Sequence, residues 1–336
     1  MKVTVLGAGS WGVALSLLLH RAGGEVTLCG RDGHKMQALR DTGRSPFFPD
    51  LELPPLRFSE KFMGAMGGAD IVVCALPSSS LPAMAPQIVP LLPPDAVLVS
   101  GTKGLHPETL ERASQIWARA GLDEERFVAL SGPNLAREIV AGVPTSSVVA
   151  SPSRQAAQTA QRAFDSPTFR VYTQSDLLGV ELGGALKNIV AIAAGIGDGR
   201  GFGDNAKAAL MTRFWREMTR LAMALGARES TLWGLSGLGD LLATCASAGS
   251  RNHQLGFWLG RGVDLAEAQA RIRQTVEGVH SCRAALGLGE REGVFLPLTR
   301  GLGAILWEQV PVEQALGALM GRAGRSVDED DCPQNA

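Results

Sequence analysis

Short apolar, β-branched runs recur through the first half of the chain: Val3 to Leu6, Val26 to Leu28, Ile71 to Leu76, Ala96 to Ser100, Phe127 to Leu130, Ser146 to Ala150 and Phe169 to Tyr172. Helix-length segments lie between several of them, the alternation that predicts a doubly wound α/β sheet. The runs are almost continuously apolar, as expected of parallel strands covered on both faces. From about Glu181 the pattern changes to long Ala/Leu/Gly-rich segments without clear strands, which predicts a mainly α-helical C-terminal domain. The junction falls near Gln174 to Val180, where Ser175-Asp176 can cap the helix that follows. The expected organisation is a dinucleotide-binding sheet domain over residues 1–178, a helical substrate domain over 179–326 and a frayed acidic tail over 327–336. With no low-complexity linker between them, the two domains should abut and leave a ligand cleft at their junction.

Composition narrows the class. A chain of 336 residues with 45% hydrophobic and 19% charged residues and a net charge of −1 lacks the basic field of a generic nucleic-acid binder. Its longest apolar stretches, such as Ile189 to Ile196, fall short of the roughly 18 to 20 residues of a membrane span, so no transmembrane helix is expected. Met1 to Gly7 meets glycine too soon for a secretory signal, which makes a cytoplasmic location the expectation. The five cysteines are far apart and include no CxxC pair, and the histidines show no HExxH spacing. A site without metal is the default.

Gly7-Ala8-Gly9-Ser10-Trp11-Gly12 fits GxGxxG. In so glycine-rich a chain about 0.6 matches would arise by chance, so the context decides. The motif follows a strand, opens the helical run Val13 to Leu19 and leads through Ala22-Gly23-Gly24 to a second strand, which makes a βαβ unit. Gly7 permits the tight turn, Gly9 lets the backbone approach a pyrophosphate, and Gly12 lets helix and strand pack closely. Trp11 can cover the cofactor or simply pack. After the second strand the chain reads Cys29-Gly30-Arg31-Asp32: Arg31 stands where a 2′-phosphate would sit and favours NADP(H), while Asp32 remains able to bind ribose.

Two lysines stand in unusual surroundings. Lys103, in Ser100-Gly101-Thr102-Lys103-Gly104-Leu105, follows a strand where an α/β sheet presents its ligand crevice. Lys187 lies in the small-residue run from Glu181 to Gly199; its burial there would disfavour its charge and suit it to proton transfer if a carboxylate set the balance. The glycines of that run imply close approach of a ligand or of another backbone. Ser131 to Glu138 can offer N–H groups at a helix start, with Glu138 as fit for capping as for chemistry. Asp240, after the glycines of Leu235 to Gly239, serves either as a cap or as an acid. Ser250-Arg251-Asn252 opens another helix and makes a phosphate seat, whereas His253 reads as ordinary helix chemistry.

Together these segments, with Gly203-Asp204-Asn205 and Val276-Glu277-Gly278, resemble the bacterial-type NAD(P)-dependent sn-glycerol-3-phosphate dehydrogenases over nearly the whole chain, to about residue 322. The resemblance implies a Rossmann-like first domain and reversible hydride transfer between NAD(P)H and dihydroxyacetone phosphate, giving sn-glycerol 3-phosphate for glycerophospholipid synthesis. It makes Lys187 the proton donor, Lys103 the stabiliser of oxygen charge and Asp240 the acid that holds Lys187 or touches a substrate hydroxyl. It adds Gly132, Asn134, Ser250, Arg251 and Asn252 on the substrate side. On the cofactor side it adds Ser10, Trp11, Arg31, Lys103, Ala136, Arg251, Thr275 and Glu277. A homodimer is the family's expectation. Asn134, Leu135, Val13 and Arg200 depart from the usual Ser or Thr, aromatic, Thr and apolar residues. Two other functions fit such a plan: a dehydrogenase of hydroxy or keto acids, and an NADPH-binding sensor without catalysis.

Overall fold

The computed structural model describes residues 1–272 and 274–320; the acidic tail expected over 327–336 lies outside them. The first half forms β1 (Lys2–Leu6), β2 (Glu25–Cys29), β3 (Arg44–Ser45), β4 (Phe48–Glu52), β5 (Arg57–Ser59), β6 (Ile71–Cys74), β7 (Val97–Ser100), β8 (Phe127–Ser131), β9 (Thr145–Ala150) and β10 (Phe169–Gln174). Eight of these make one sheet in the order β10-β9-β8-β7-β6-β1-β2-β5, and β3 and β4 pair apart from it. Between the strands run α1 (Ser10–Arg21), α2 (Gly33–Thr42), α3 (Phe62–Ala65), α4 (Leu81–Ile88), α5 (Ala113–Arg119), α6 (Ala136–Ala141) and α7 (Arg154–Phe164).

Successive side chains on a strand point to opposite faces, and both faces are covered. Val3, Val5, Ile71, Val73, Val97 and Val99 pack beneath α1, α2, α6 and α7. Leu6, Val72, Cys74 and Leu98 pack beneath α4 and α5 around the buried Trp117. The doubly wound sheet is therefore present, but not wholly parallel: β8 and β9 pair antiparallel, Leu130 opposite Val149. Only the six-residue α6 lies between them, so the chain re-enters the sheet at the end of the strands where it left, whereas a parallel return needs a longer crossover. Strands β3 and β5 escaped the sequence pattern because they are only two and three residues long, and β4 because it carries Pro49, Asp50 and Glu52.

The second half contains helices: α8 (Leu177–Gly199), α9 (Asp204–Ala224), α10 (Glu229–Leu232), α11 (Asp240–Ala246), α12 (Arg251–Gly260), α13 (Leu265–Ile272), α14 (Glu277–Glu292), α15 (Pro297–Trp307) and α16 (Val312–Met320). Asp176 caps α8, its Oδ1 accepting the Gly179 N–H at 2.9 Å. Helix α8 is long and apolar enough to cross a membrane, with a mean hydropathy of 1.5, although Glu181, Lys187, Asn188 and several glycines interrupt its apolar residues. It is instead the core of this half, 83% of its apolar window buried beneath α9, α11, α12 and α14. Its glycines answer the question left by the sequence. A Cβ at Gly195 would fall 2.1 Å from the His253 carbonyl oxygen, and one at Gly256 would fall 1.9 Å from that of Ile192, so α8 and α12 touch backbone to backbone.

Candidate active site

The glycine loop lies where the sheet order reverses, between β1 and β6, whose following helices cover opposite faces. Gly7 has φ +112°, and a Cβ on it would meet the Ala75 carbonyl oxygen at 2.9 Å; one on Gly12 would meet the Gly7 oxygen at 1.7 Å. Those two glycines are dictated by the turn. Gly9 is not: its φ is −78° and a Cβ there would meet nothing within 4 Å. It stands at the N-terminus of α1 without a side-chain cap, so the open space lies in front of unpaired N–H groups. That cradle fits a pyrophosphate.

At the end of β2, Asp32 is engaged as the cap of α2, its Oδ1 accepting the Lys35 N–H at 3.1 Å. Arg31 is exposed, touches the Met84 sulfur at 3.4 Å and pairs with no carboxylate among the described residues. Trp11 packs as well as lining the loop: its indole N–H donates to the Gly101 carbonyl at 3.1 Å, and its ring centroid lies 5.9 Å from Lys103 Nζ. The cofactor loop and the first lysine are thus neighbours.

Three distant segments converge on Asp240, which is only 2% exposed. Lys103 Nζ donates to its Oδ2 and Lys187 Nζ to its Oδ1, each at 2.8 Å. Lys103 also donates to the Gly132 carbonyl at 2.8 Å, and Lys187 to Thr244 Oγ1 at 2.6 Å. A π-helical turn, Leu235–Gly239, delivers Asp240 to α11, so Asp240 is a partner of two ammonium groups and not a helix cap. With both lysines charged, the cluster holds one positive charge more than it neutralises. Burial pushes Lys103 down to about 8, against the pull of the Asp240 carboxylate and with the Lys187 charge adding to the shift.

Most of the remaining candidates have partners of their own. Ser250 caps α12, its Oγ accepting the His253 N–H at 3.3 Å. Arg251 opens that helix; burial pulls its guanidinium below the ordinary value while the Glu277 charge opposes the change. Gln274 Oε1 accepts from Ser10 Oγ at 3.2 Å and from Arg251 at 3.5 Å, joining the nucleotide loop to α12. Asn252 has both ends of its amide engaged, donating to Asn188 Oδ1 at 2.8 Å and accepting the Gly278 N–H at 2.9 Å. Asn134 accepts from Ser147 Oγ at 3.0 Å, beside Gly132. The Glu277 carboxylate accepts the Ser78 N–H at 2.9 Å and the Ser78 hydroxyl at 2.5 Å, tying α14 to the turn after β6. Ala136 and Thr275 are half-buried, whereas Glu138 is exposed and caps nothing. His253 joins Asp198 at 2.6 Å, and Lys207 shares that carboxylate at 2.7 Å. Burial works to raise Asp198, but the hydrogen bonds and charges of these two partners together outweigh it and hold the carboxyl below its usual range.

Residues 2–157 match the NAD-dependent glycerol-3-phosphate dehydrogenase N-terminus, and residues 176–317 match the C-terminus of the same family. The chain belongs to this family. A Streptomyces coelicolor protein named glycerol-3-phosphate dehydrogenase [NAD(P)+] is 45% identical over 328 residues, which cover 97% of this chain and 98% of that one. A relative of the same name from Moorella thermoacetica is 43% identical over 327 residues, 96% of each chain. The crystal structure of glycerol-3-phosphate dehydrogenase from Coxiella burnetii superposes with a TM-score of 0.91 at 35% identity, covering 96% of this chain and 99% of that chain.

Thr244, Asn188, Gln274 and Ser78 were not singled out from the sequence. Thr244 lies one helical turn beyond Asp240, and that spacing is a signal the sequence offers for it. Nothing local marks Gln274 or Ser78, whose partners lie far away in the chain.

Proposed function

We propose that this chain reduces dihydroxyacetone phosphate reversibly to sn-glycerol 3-phosphate, with NADP(H) preferred over NAD(H), as a cytoplasmic supplier of glycerophospholipid synthesis. Residues 1–178 bind the dinucleotide and residues 179–326 contribute the substrate side. The carrying observation is the buried Lys103–Asp240–Lys187 cluster with its excess positive charge beside the open glycine loop. Membership of the family over both halves supports the triose phosphate in preference to a hydroxy or keto acid, and the intact cluster supports catalysis in preference to sensing.

Gly7, Gly9, Gly12, Ser10 and Arg31 would hold the dinucleotide, with Ala136, Thr275 and Glu277 along its course. When bound, its nicotinamide supplies the hydride for reduction and accepts it in the reverse direction. An ammonium group has three protons to donate. Lys187 directs two toward Asp240 and Thr244, and Lys103 two toward Gly132 and Asp240, leaving one on each for a substrate oxygen. Two cations aimed at one oxygen stabilise the charge that develops on it. Lys187 passes its proton to that oxygen in reduction and takes it back in oxidation, while Asp240 holds both lysines in place. Arg251, at the start of α12, receives the phosphoryl end, with Ser250, Asn252, Gly132 and Asn134 shaping the pocket.

Absorbance of NADPH or NADH, followed with dihydroxyacetone phosphate and with unphosphorylated dihydroxyacetone, tests this. Rapid oxidation that requires the phosphate is expected, faster with NADPH. A folded protein that binds NADPH yet turns over neither cofactor would refute the proposal.

A further inference from the structure

The segment after β7, Gly101–Arg112, carries Lys103, yet the helical half holds much of it. Asn188 on α8 donates to the Lys103 carbonyl at 2.9 Å. Leu105 is fully buried among the apolar side chains of the helical half. At the far end, Arg112 and the Ser114 hydroxyl bind the buried Glu181 of α8 at 2.5 and 2.6 Å. Between these ties the chain closes on itself: the His106 N–H donates to the Glu111 carbonyl and the Leu110 N–H to the His106 carbonyl, both at 3.0 Å. The His106 ring accepts the Thr109 N–H at 3.1 Å.

That closure puts Leu110 at φ +61°. Leucine rarely adopts this left-handed conformation, and such strain persists only where the surroundings over-determine it. Glycine or asparagine would meet the backbone demand with less strain, so the side chain must account for leucine. It packs into a notch at Gly287 on α14, where a Cβ would stand 3.0 and 3.1 Å from its two terminal carbons. We propose that Leu110 is a positioning residue: seated against Gly287, it locks the Gly101–Arg112 segment to the helical half and so fixes the Lys103 ammonium between Gly132 and Asp240. The role rests on Lys103 acting in the reaction proposed above; the geometry it maintains does not.

Lys103 itself reports on that geometry, because its descent to about 8 depends on burial. Loosened into water, its amine would return toward 10.5. The experiment measures pH-dependent acylation of Lys103 by mass spectrometry in the full-length protein, alongside kcat and KM. In Leu110→Gly the backbone is relieved but the plug is lost. Its labelling midpoint is expected to move from about 8 toward 10.5, with a fall of about tenfold or more in kcat and little change in NADPH affinity. Leu110→Met, which keeps an apolar plug of similar volume, restores the midpoint and most of the rate. Gly287→Ala, which presses on the Leu110 side chain while leaving the sequence of the segment unchanged, moves the midpoint the same way by less and serves if Leu110→Gly does not fold. A midpoint that stays near 8 in a folded Leu110→Gly or Gly287→Ala overturns the proposal whether or not the enzyme turns over. Absence of turnover in the parent chain with a midpoint that still moves would refute only the reaction.

Discussion

Asp240 and Glu217 are acids of almost equal burial, 2% and 3% exposed, placed in opposite company. Asp240 faces two ammonium groups, so its surroundings carry more positive charge than it cancels. Glu217 faces the start of α15: it accepts the N–H groups of Leu298 and Thr299 at 2.6 and 3.1 Å and the Thr299 hydroxyl at 2.9 Å. Burial pushes the Glu217 carboxyl up, while those hydrogen bonds and the Arg220 charge pull the other way. Its lone pairs are used by the protein itself, and it serves as the cap of a helix. Burial of a charge therefore does not mark a site. Charge and donors left over after the protein's own groups are satisfied do.

Four substitutions test that contrast. The largest effect is expected for Lys187→Ala, which removes the proton donor: kcat should fall about 10³-fold while NADPH affinity and cooperative unfolding persist. A rate that stays within about tenfold of the parent would put Lys187 with Glu217, among the structural groups. Asp240→Asn comes next. Reduction by the parent should lose kcat/KM as pH rises through about 8, because the charged form of Lys103 is the one that holds an anion. Without the carboxylate that holds Lys103 up, the alkaline limb should move to lower pH and kcat/KM should drop about 10²-fold. The stability effect of Lys103 has the opposite sign to a salt-bridge gain. Its charge is a cost below about 8 that fades as pH climbs toward 10.5, so unfolding midpoints should show a rise across that window.

Arg31→Ala should raise KM for NADPH about tenfold and leave that for NADH nearly unchanged, as loss of one charge-assisted contact requires. Equal effects on both cofactors would show that Arg31 stacks on adenine instead. The smallest effect on activity belongs to Glu217→Gln: kcat should hold, while chemical denaturation shows a loss of about 1–2 kcal/mol. Because the Glu217 carboxyl is raised above 4.5, its contribution is full below that value and declines as pH rises through the raised pKa; the glutamine variant should lack this slope. A loss of turnover in that variant would erase the distinction between the two acids.

The central strands of the sheet were readable because each is a continuous apolar run, and the glycine loop because three glycines, a strand and a helix lie within about twenty residues. Helix α8 was readable as helix but not as core: its apolar positions are diluted by glycines whose purpose appears only when α12 lies against them. The antiparallel entry of β9 was hidden for a related reason, since pairing direction depends on where α6 leaves the chain and not on the composition of the strand. Lys103, Lys187 and Asp240 were each visible as odd residues in small-residue surroundings. Their mutual geometry was not, and neither was Glu277's grip on Ser78, across 199 positions.

The residues alone settled local matters: which continuous apolar runs form the central strands, where a helix such as α8 is capped, where a backbone turn demands glycine and where an open N-terminus can receive phosphate. These depend on sterics and hydrogen bonds within a few residues. Only the tertiary structure decided that two lysines 84 positions apart share one carboxylate and that Arg251 and Ser10 meet at Gln274. It also decided that burial lowers the Lys103 amine to about 8. Charge balance and desolvation depend on what surrounds a group in space, and that is fixed by packing between segments whose order along the chain carries no record of their distance.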